Sequence, residues 1–134
     1  VGHSYLGRWV NLGAGTTTSN LKNTYGPVHL WTPGGLIDTQ QQFLGTMFGD
    51  HVKTGLGTML NTGTVIGAAA NIFGGALHSK HVPAFAWGDG DPYATYKLDK
   101  FLDVARRVMQ RRGVTLAETT QRQLASAYAR ATRA

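Results

Sequence analysis

The chain has no cysteine among its 134 residues. That excludes disulfides, a thiolate nucleophile and any zinc site built on sulfur, and it suits a cytoplasmic protein. No apolar run reaches membrane length and no leader pattern opens the chain, so a soluble protein is expected. A glycine-rich nucleotide loop with a following lysine is also missing. Charge of one sign is scarce over most of the sequence. Residues 1 to 96 hold four basic side chains (Arg8, Lys22, Lys53, Lys80) and four acidic ones (Asp38, Asp50, Asp89, Asp91), so the net +6 sits in the last 38 residues. A neutral body with a basic tail argues against a nucleic-acid surface, and neither a nucleic-acid nor a membrane partner is expected. The chain starts at Val1 inside what reads as a running repeat, and is therefore read as the end of a longer protein.

What is present is a beat of six. Leu6 and Leu12 fall six apart, each followed by glycine and, four places on, by a compact residue, Val10 and then Thr16. After an interruption, Phe48, Thr54, Leu60, Ile66 and Ile72 lead successive hexads, with Val52, Thr58, Thr64, Ala70 and Ala76 four places behind them. Six is neither the period of a strand nor that of a helix. It is the pattern of the hexapeptide parallel β-helix, in which three hexads close one triangular turn, and whose left-handed form is an exception to right-handed crossovers. The expected fold is all-β: a left-handed parallel β-helix over 1–88 with a hairpin-like insert at 21–46, then a helical appendage over 89–134. About two and a half turns make a marginal solenoid unless neighbours or an oligomer cover its ends.

Within the insert, Val28 to Trp31, a Pro33-Gly34-Gly35 turn and Leu36-Ile37 read as a short hairpin. Pro83, Pro92 and the glycine–aspartate cluster at 88–91 end the repeat, and Phe85 and Trp87 are expected to fold back over the last coil. A first helix is expected over Tyr96 to Arg112, with Leu98, Phe101, Leu102, Ala105, Val108 and Met109 on one face and Gly113 as its terminator. Thr115 to Glu118 reads as a capping box opening a second helix that turns Leu124, Ala127 and Tyr128 inward.

For chemistry the chain offers His3, His29, His51, His78 and His81. They lack the paired spacing of a three-histidine metal site, so no metal is expected. His78 and His81 read as surface residues of the exit loop, and His51 as a hydrogen-bonding neighbour of Asp50. His3, just before Tyr5 and one coil face from Asn11, is the best base candidate within the chain.

The segments GHSYLGRWVNLGAGT at 2–16, TSNLKNTYG at 18–26, GDHVKTGLGTMLNTGTVIG at 49–67 and VPAFAWG at 82–88 carry a family resemblance. The chain resembles the C-terminal acetyltransferase domain of the bifunctional N-acetylglucosamine-1-phosphate uridylyltransferase and glucosamine-1-phosphate N-acetyltransferase, in particular an alternative bacterial branch of these sugar-phosphate nucleotidyltransferases. The resemblance implies a homotrimer that moves an acetyl group from acetyl-CoA to the amine of a hexosamine 1-phosphate. Its magnesium would serve only the nucleotidyltransferase domain, which this chain does not contain. Asn11 matches the asparagine that contacts the sugar phosphate, and Asn20 the one that positions the acceptor. Where the classical branch has a tyrosine this chain has Leu21, with Tyr25 as the candidate replacement. On the coenzyme side, Ala14 matches a residue whose backbone faces the thioester, Leu56 and Gly74 line the coenzyme channel, and Lys80 is a basic position near its end. Leu56 stands where the classical branch has serine, and Thr58 is the candidate to supply that hydrogen bond. Superposing the Gly-Ala-Gly segments puts the family's catalytic histidine one hexad before His3, upstream of Val1, with His3 in place of an aspartate. The resemblance thus makes His3 a neighbour that orients base or acceptor. The alternative function is a noncatalytic trimerising or regulatory module of a sugar-1-phosphate nucleotidyltransferase.

Overall fold

The computed structural model describes residues 1–133. In chain order its strands are β1 (Tyr5–Leu6), β2 (Asn11–Leu12), β3 (Thr17–Thr18), β4 (His29–Thr32), β5 (Gly35–Asp38), β6 (Met47–Phe48) and β7 (Lys53–Thr54). They continue as β8 (Met59–Leu60), β9 (Val65–Ile66), β10 (Asn71–Ile72), β11 (His81–Val82), β12 (Ala86–Gly88) and β13 (Ala94–Thr95), followed by helices α1 (Leu98–Gln110) and α2 (Glu118–Ala131). The short strands stack in parallel from one coil to the next. One sheet runs β1-β6-β9-β11 and a second β2-β7-β10-β12, edged by antiparallel β13. The third pairs β3 with β8 and is extended by a parallel bridge from Met59 to Leu77.

The register explains the beat of six. Leu6, Phe48, Ile66 and Val82 lie in one column, and Leu12, Thr54 and Ile72 in the next. Phe48, Leu60, Ile66, Ile72 and Val82 are almost wholly buried in one cluster. Each such side chain contributes roughly 1.5–3 kcal/mol of transfer free energy. The position four places behind each leader is a coil corner that admits only a small side chain. Where that residue is threonine, its hydroxyl turns back to the carbonyl three residues earlier. Thr16 donates to Gly13 O at 2.7 Å, Thr58 to Gly55 O at 2.9 Å and Thr64 to Asn61 O at 2.7 Å. A polar atom in the core is thereby satisfied locally. Ala76, expected in this set, is exposed, because the repeat has already loosened into the exit loop.

Two columns at the corner between the first and second sheets set its backbone. Gly49 and Gly67 sit where a Cβ would run into the next coil, at 2.7 Å from Ala68 N for Gly49 and against Ala84 N for Gly67. Two residues later Trp9, His51, Ala69 and Phe85 all adopt left-handed backbone, with φ of 60, 64, 63 and 59°. That conformation costs a non-glycine residue about 1–3 kcal/mol. It is held by bonds between coils: His51 N donates to Arg8 O, Ala69 N to Asp50 O and Phe85 N to Ala68 O.

The helices cover this corner. Phe101, Leu102 and Ala105 of α1 share a buried cluster with Ala69, Phe85 and Tyr96, and Leu124, Ala127 and Tyr128 of α2 pack half-buried on its outside. Phe85 therefore lies beneath the helices instead of capping the coil, and Trp87 stays 41% exposed on the outer side of β12. The first helix is shorter than its sequence pattern: Tyr96 is buried in extended backbone, its N–H donating to Phe85 O. Gly113 terminates it with φ of 70°. The capping box does not form. The second helix starts at Glu118 after Ala117 without a side-chain cap, and Glu118 pairs with Arg122 instead.

The insert is an ordered hairpin. The antiparallel pairing of β4 with β5 closes at Thr32 and Gly35, leaving Pro33-Gly34 as the turn. Its root is buried at Val28, and it lies along the coil with Trp31 stacked on His81 at 3.5 Å between ring centroids. Lys80 Nζ donates to His29 O at 3.0 Å as a second clasp.

Candidate functional site

The corner where the third sheet leads into the first brings two of the expected residues together. His3, held in left-handed backbone with φ of 51°, faces Asn20, with 2.8 Å between His3 Nδ1 and Asn20 Nδ2. The insert leaves the coil just after Asn20 and returns through Leu44 and Gly45. Leu44 N donates to Asn20 O and Gly45 N to His3 O, so the two ends of the insert clip the pair in place. Phe43 stacks on the His3 ring at 5.4 Å. An amide nitrogen can only donate, so His3 Nδ1 accepts here and the neutral ring carries its proton on Nε2. Turning the Asn20 amide over would present its oxygen to an Nδ1–H and free Nε2 as a base. The orientation of the Asn20 amide and the tautomer of this exposed imidazole are therefore coupled.

The remaining expected residues are dispersed. Ala14, Leu56 and Gly74 recur at one coil position and form a column at the corner between the second and third sheets. Ala14 O accepts from Gly57 N, and Leu56 is 79% exposed. Asn11 lies on β2 in register with Lys53, Asn71 and Trp87, exposed on the outer side of the second sheet and away from the His3 corner. Tyr25 is exposed at the root of the insert, its carbonyl accepting from Gln42 Nε2. Thr58 is a correction: it points into the coil, fully buried, with its hydroxyl committed to Gly55 O, and offers nothing to a ligand. His78 is likewise buried instead of superficial. Its Nε2–H faces Phe73 O and its Nδ1 faces the Tyr93 hydroxyl at 2.7 Å. Burial holds its pKa below the ordinary value.

Lys80 stands apart from the Ala14 column. It lines a polar cleft of about 430 Å³ with Lys22, Asn23, Thr24, Asn61 and Thr62, directly after Asn20 in the chain. Lys22 carries no motif of its own, and only the folding of the insert reveals it. A second, mostly apolar cleft of about 310 Å³, between Trp87, Tyr96, Lys97 and Lys100, contains none of the expected residues. Elsewhere, Lys53 donates to the carbonyls of Trp9 and His51 at 2.6 and 3.1 Å, and burial lowers its pKa to about 8. His51 is lowered to about 4 by burial, then by Lys53, against a smaller opposing effect of Asp50, and its Nδ1 has no partner. Its expected bond at the Asp50 position is not made; Asp50 Oδ1 instead accepts from Arg8 N at 2.7 Å.

Among the described residues no three metal-ligating side chains cluster, and no helix is long and apolar enough to cross a membrane. No protein-family model matches the chain. It is 37% identical over 82 residues to a bifunctional sugar-1-phosphate nucleotidylyltransferase/acetyltransferase of Sulfurisphaera tokodaii, and 34% identical over 82 residues to the bifunctional protein GlmU of Methanococcus vannielii. Each match covers 61% of this chain, which spans 20% of the length of either relative. The likeness is thus to one part of proteins named as bifunctional sugar-1-phosphate nucleotidylyltransferase/acetyltransferase and GlmU.

Proposed function

We propose that this chain is the acetyl-transferring β-helix of a bifunctional sugar-nucleotide enzyme. It acts as a left-handed hexapeptide coil within a cytoplasmic homotrimer. The reaction moves the acetyl group of acetyl-CoA to the amine of a hexosamine 1-phosphate. The amine nitrogen attacks the thioester carbon, the carbonyl oxygen becomes an oxyanion, and the carbon–sulfur bond breaks to release the coenzyme thiolate. The amine proton passes to an imidazole, and the thiolate is protonated as it leaves. The observation that carries this reading is the contact between His3 and Asn20, an exposed imidazole whose tautomer is coupled to a neighbouring amide. In this reading His3 acts as the base within the chain after Asn20 turns its carbonyl to Nδ1–H, so that Nε2 is free to receive the proton.

The column of Ala14, Leu56 and Gly74 would hold the pantetheine arm along small residues and exposed backbone. Lying at a different corner from His3, it suits a site completed between neighbouring subunits, with the arm against one chain and the base on the next. Asn11 and Tyr25 would reach the acceptor by the same assembly. The test is direct: protein incubated with acetyl-CoA and glucosamine 1-phosphate should release coenzyme thiol and N-acetylated sugar phosphate in equal amounts. No turnover together with no coenzyme binding would overturn the proposal. The second reading, a noncatalytic trimerising or regulatory module, draws on the inward Thr58 and the exposed Leu56, which leave the coenzyme column without a side-chain hydroxyl. It predicts trimers that bind no coenzyme.

A further inference from the structure

We propose that Lys22 and Lys80 form a subsite for a phosphate monoester dianion, and that the dianion is the phosphate of the acyl acceptor. Asn23, Thr24, Asn61 and Thr62 supply neutral hydrogen-bonding groups around it. The assignment to the acceptor rests on the acetyl-transfer reading; the subsite itself does not.

Both lysines are half-buried in one cleft, and none of the residues lining it is acidic. Among the described residues the side-chain ion pairs are Arg106 with Asp103 and Arg122 with Glu118, so neither lysine has a carboxylate partner. Two ammonium groups that line one half-buried cleft repel each other and lose part of their hydration, and a dianion relieves both costs at once. The Lys80 pKa is lowered by its burial and then by the charge of Lys22.

The neutral groups suit the same ligand. Asn61 Oδ1 is taken by Thr62 N at 2.8 Å, which leaves its amide N–H groups free to donate. Lys80 Nζ is steadied by its bond to His29 O, which uses one of its three protons and leaves two. An ammonium held this way loses less freedom on binding than a free surface lysine would.

The cleft adjoins the site already described. Its wall includes Ser19 and Leu21, the chain neighbours on either side of Asn20, whose side chain meets His3. A phosphate held between Lys22 and Lys80 would therefore lie against the segment that carries Asn20. The Ala14, Leu56 and Gly74 column lies at another corner of the coil, so within one chain Lys80 goes with the acceptor residues and not with the coenzyme residues.

Phosphate of this chemistry has three sources: the acceptor, the 3′-phosphate of coenzyme A and free inorganic phosphate. Phosphorus NMR titrations with glucosamine 1-phosphate and with inorganic phosphate, on the unaltered chain and on Lys22→Gln and Lys80→Gln, measure the subsite directly. Each glutamine variant should weaken glucosamine 1-phosphate binding about tenfold or more, and Lys22→Arg should retain it. Lys22→Gln is the deciding variant, because it leaves the clasp between Lys80 and the hairpin intact. In turnover, the KM for the acceptor should rise while the KM values for acetyl-CoA and for its 3′-dephospho form stay unchanged. Unaltered binding in Lys22→Gln overturns the proposal. So does a raised KM for acetyl-CoA but not for the dephospho form, or inorganic phosphate that binds without competition from the sugar phosphate. Lysine-dependent sugar-phosphate binding without any acetyl transfer refutes the reaction and keeps the subsite; normal turnover in Lys22→Gln does the reverse.

Discussion

The first coil and the later coils share one backbone plan and differ in what covers them. Leu6 stands in the same column as Phe48, Ile66 and Val82, yet it is 45% exposed while those three are at most 1% exposed. Periodicity thus fixes which way a side chain points, and only a neighbouring coil on each side turns that direction into burial. The functional candidates His3 and Asn20 sit on the thinly covered coil, whereas the fully buried threonines lie above it. A site of low packing density on a rigid stack gains accessibility without giving up a fixed backbone, since Tyr5, Gly7, Asn11 and Gly13 still donate to the coil above.

The largest expected effect separates activity from stability. His3→Ala and Asn20→Ala should each lower kcat/KM for acetyl transfer by roughly 10²–10⁴, the range of a positioned general base, with denaturation midpoints close to the parent. A matching loss of stability would mean that the first coil is structural throughout. Next in size are Ile66→Ala and Leu6→Ala, compared by urea unfolding at one protein concentration. The buried isoleucine should cost about 2–5 kcal/mol and the exposed leucine under about 1 kcal/mol. Equal costs would show that the first coil is covered in solution.

The buried interior coils also carry a titratable group, His51. His51 has a folded pKa of about 4 against an ordinary 6.5. Below 6.5 the unfolded chain takes up a proton that the folded chain refuses until about 4. Stability should therefore be complete above pH 6.5 and fall by up to about 3 kcal/mol as the pH drops through that window. His51→Asn keeps a residue suited to left-handed backbone and removes the titration, so it should flatten the slope. An unchanged slope would assign the acid sensitivity to other groups.

Much of the coil was legible because its signal is local. Phe48, Thr54, Leu60, Ile66 and Ile72 are all buried as the hexads require, and a period of six needs no knowledge of distant contacts. Thr58 was legible too: four places behind Thr54, it belongs to the inward set, and the spacing outweighs the family resemblance that offered it to the coenzyme. The failure at Thr115 is of another kind, since a capping box is a local preference that the packing of α2 overrode. The pairing of Lys22 with Lys80 and the stacking of Trp31 on His81 were not legible. Each joins residues fifty or more positions apart, through an insert whose route no periodicity encodes.

The hairpin supplies the smallest and most local test. Its strands β4 and β5 expose Leu36 and Ile37, so the pair is held to the coil chiefly by Val28 at its root, the Lys80 bond and the Trp31–His81 stack. Trp31→Ala removes the stack, worth about 0.5–1.5 kcal/mol beyond its area, and leaves the root in place. Global unfolding should shift by little more than that amount, because the hexad cluster does not include Trp31. Local opening should change more. Amide exchange across His29–Thr32 and proteolysis near Pro33-Gly34 should both accelerate, while exchange at Ile66 and Ile72 stays slow. If the interior coils loosened together with the hairpin, the insert would be part of the coil's cooperative unit, and the contrast between a rigid stack and a lightly clasped appendage would fail.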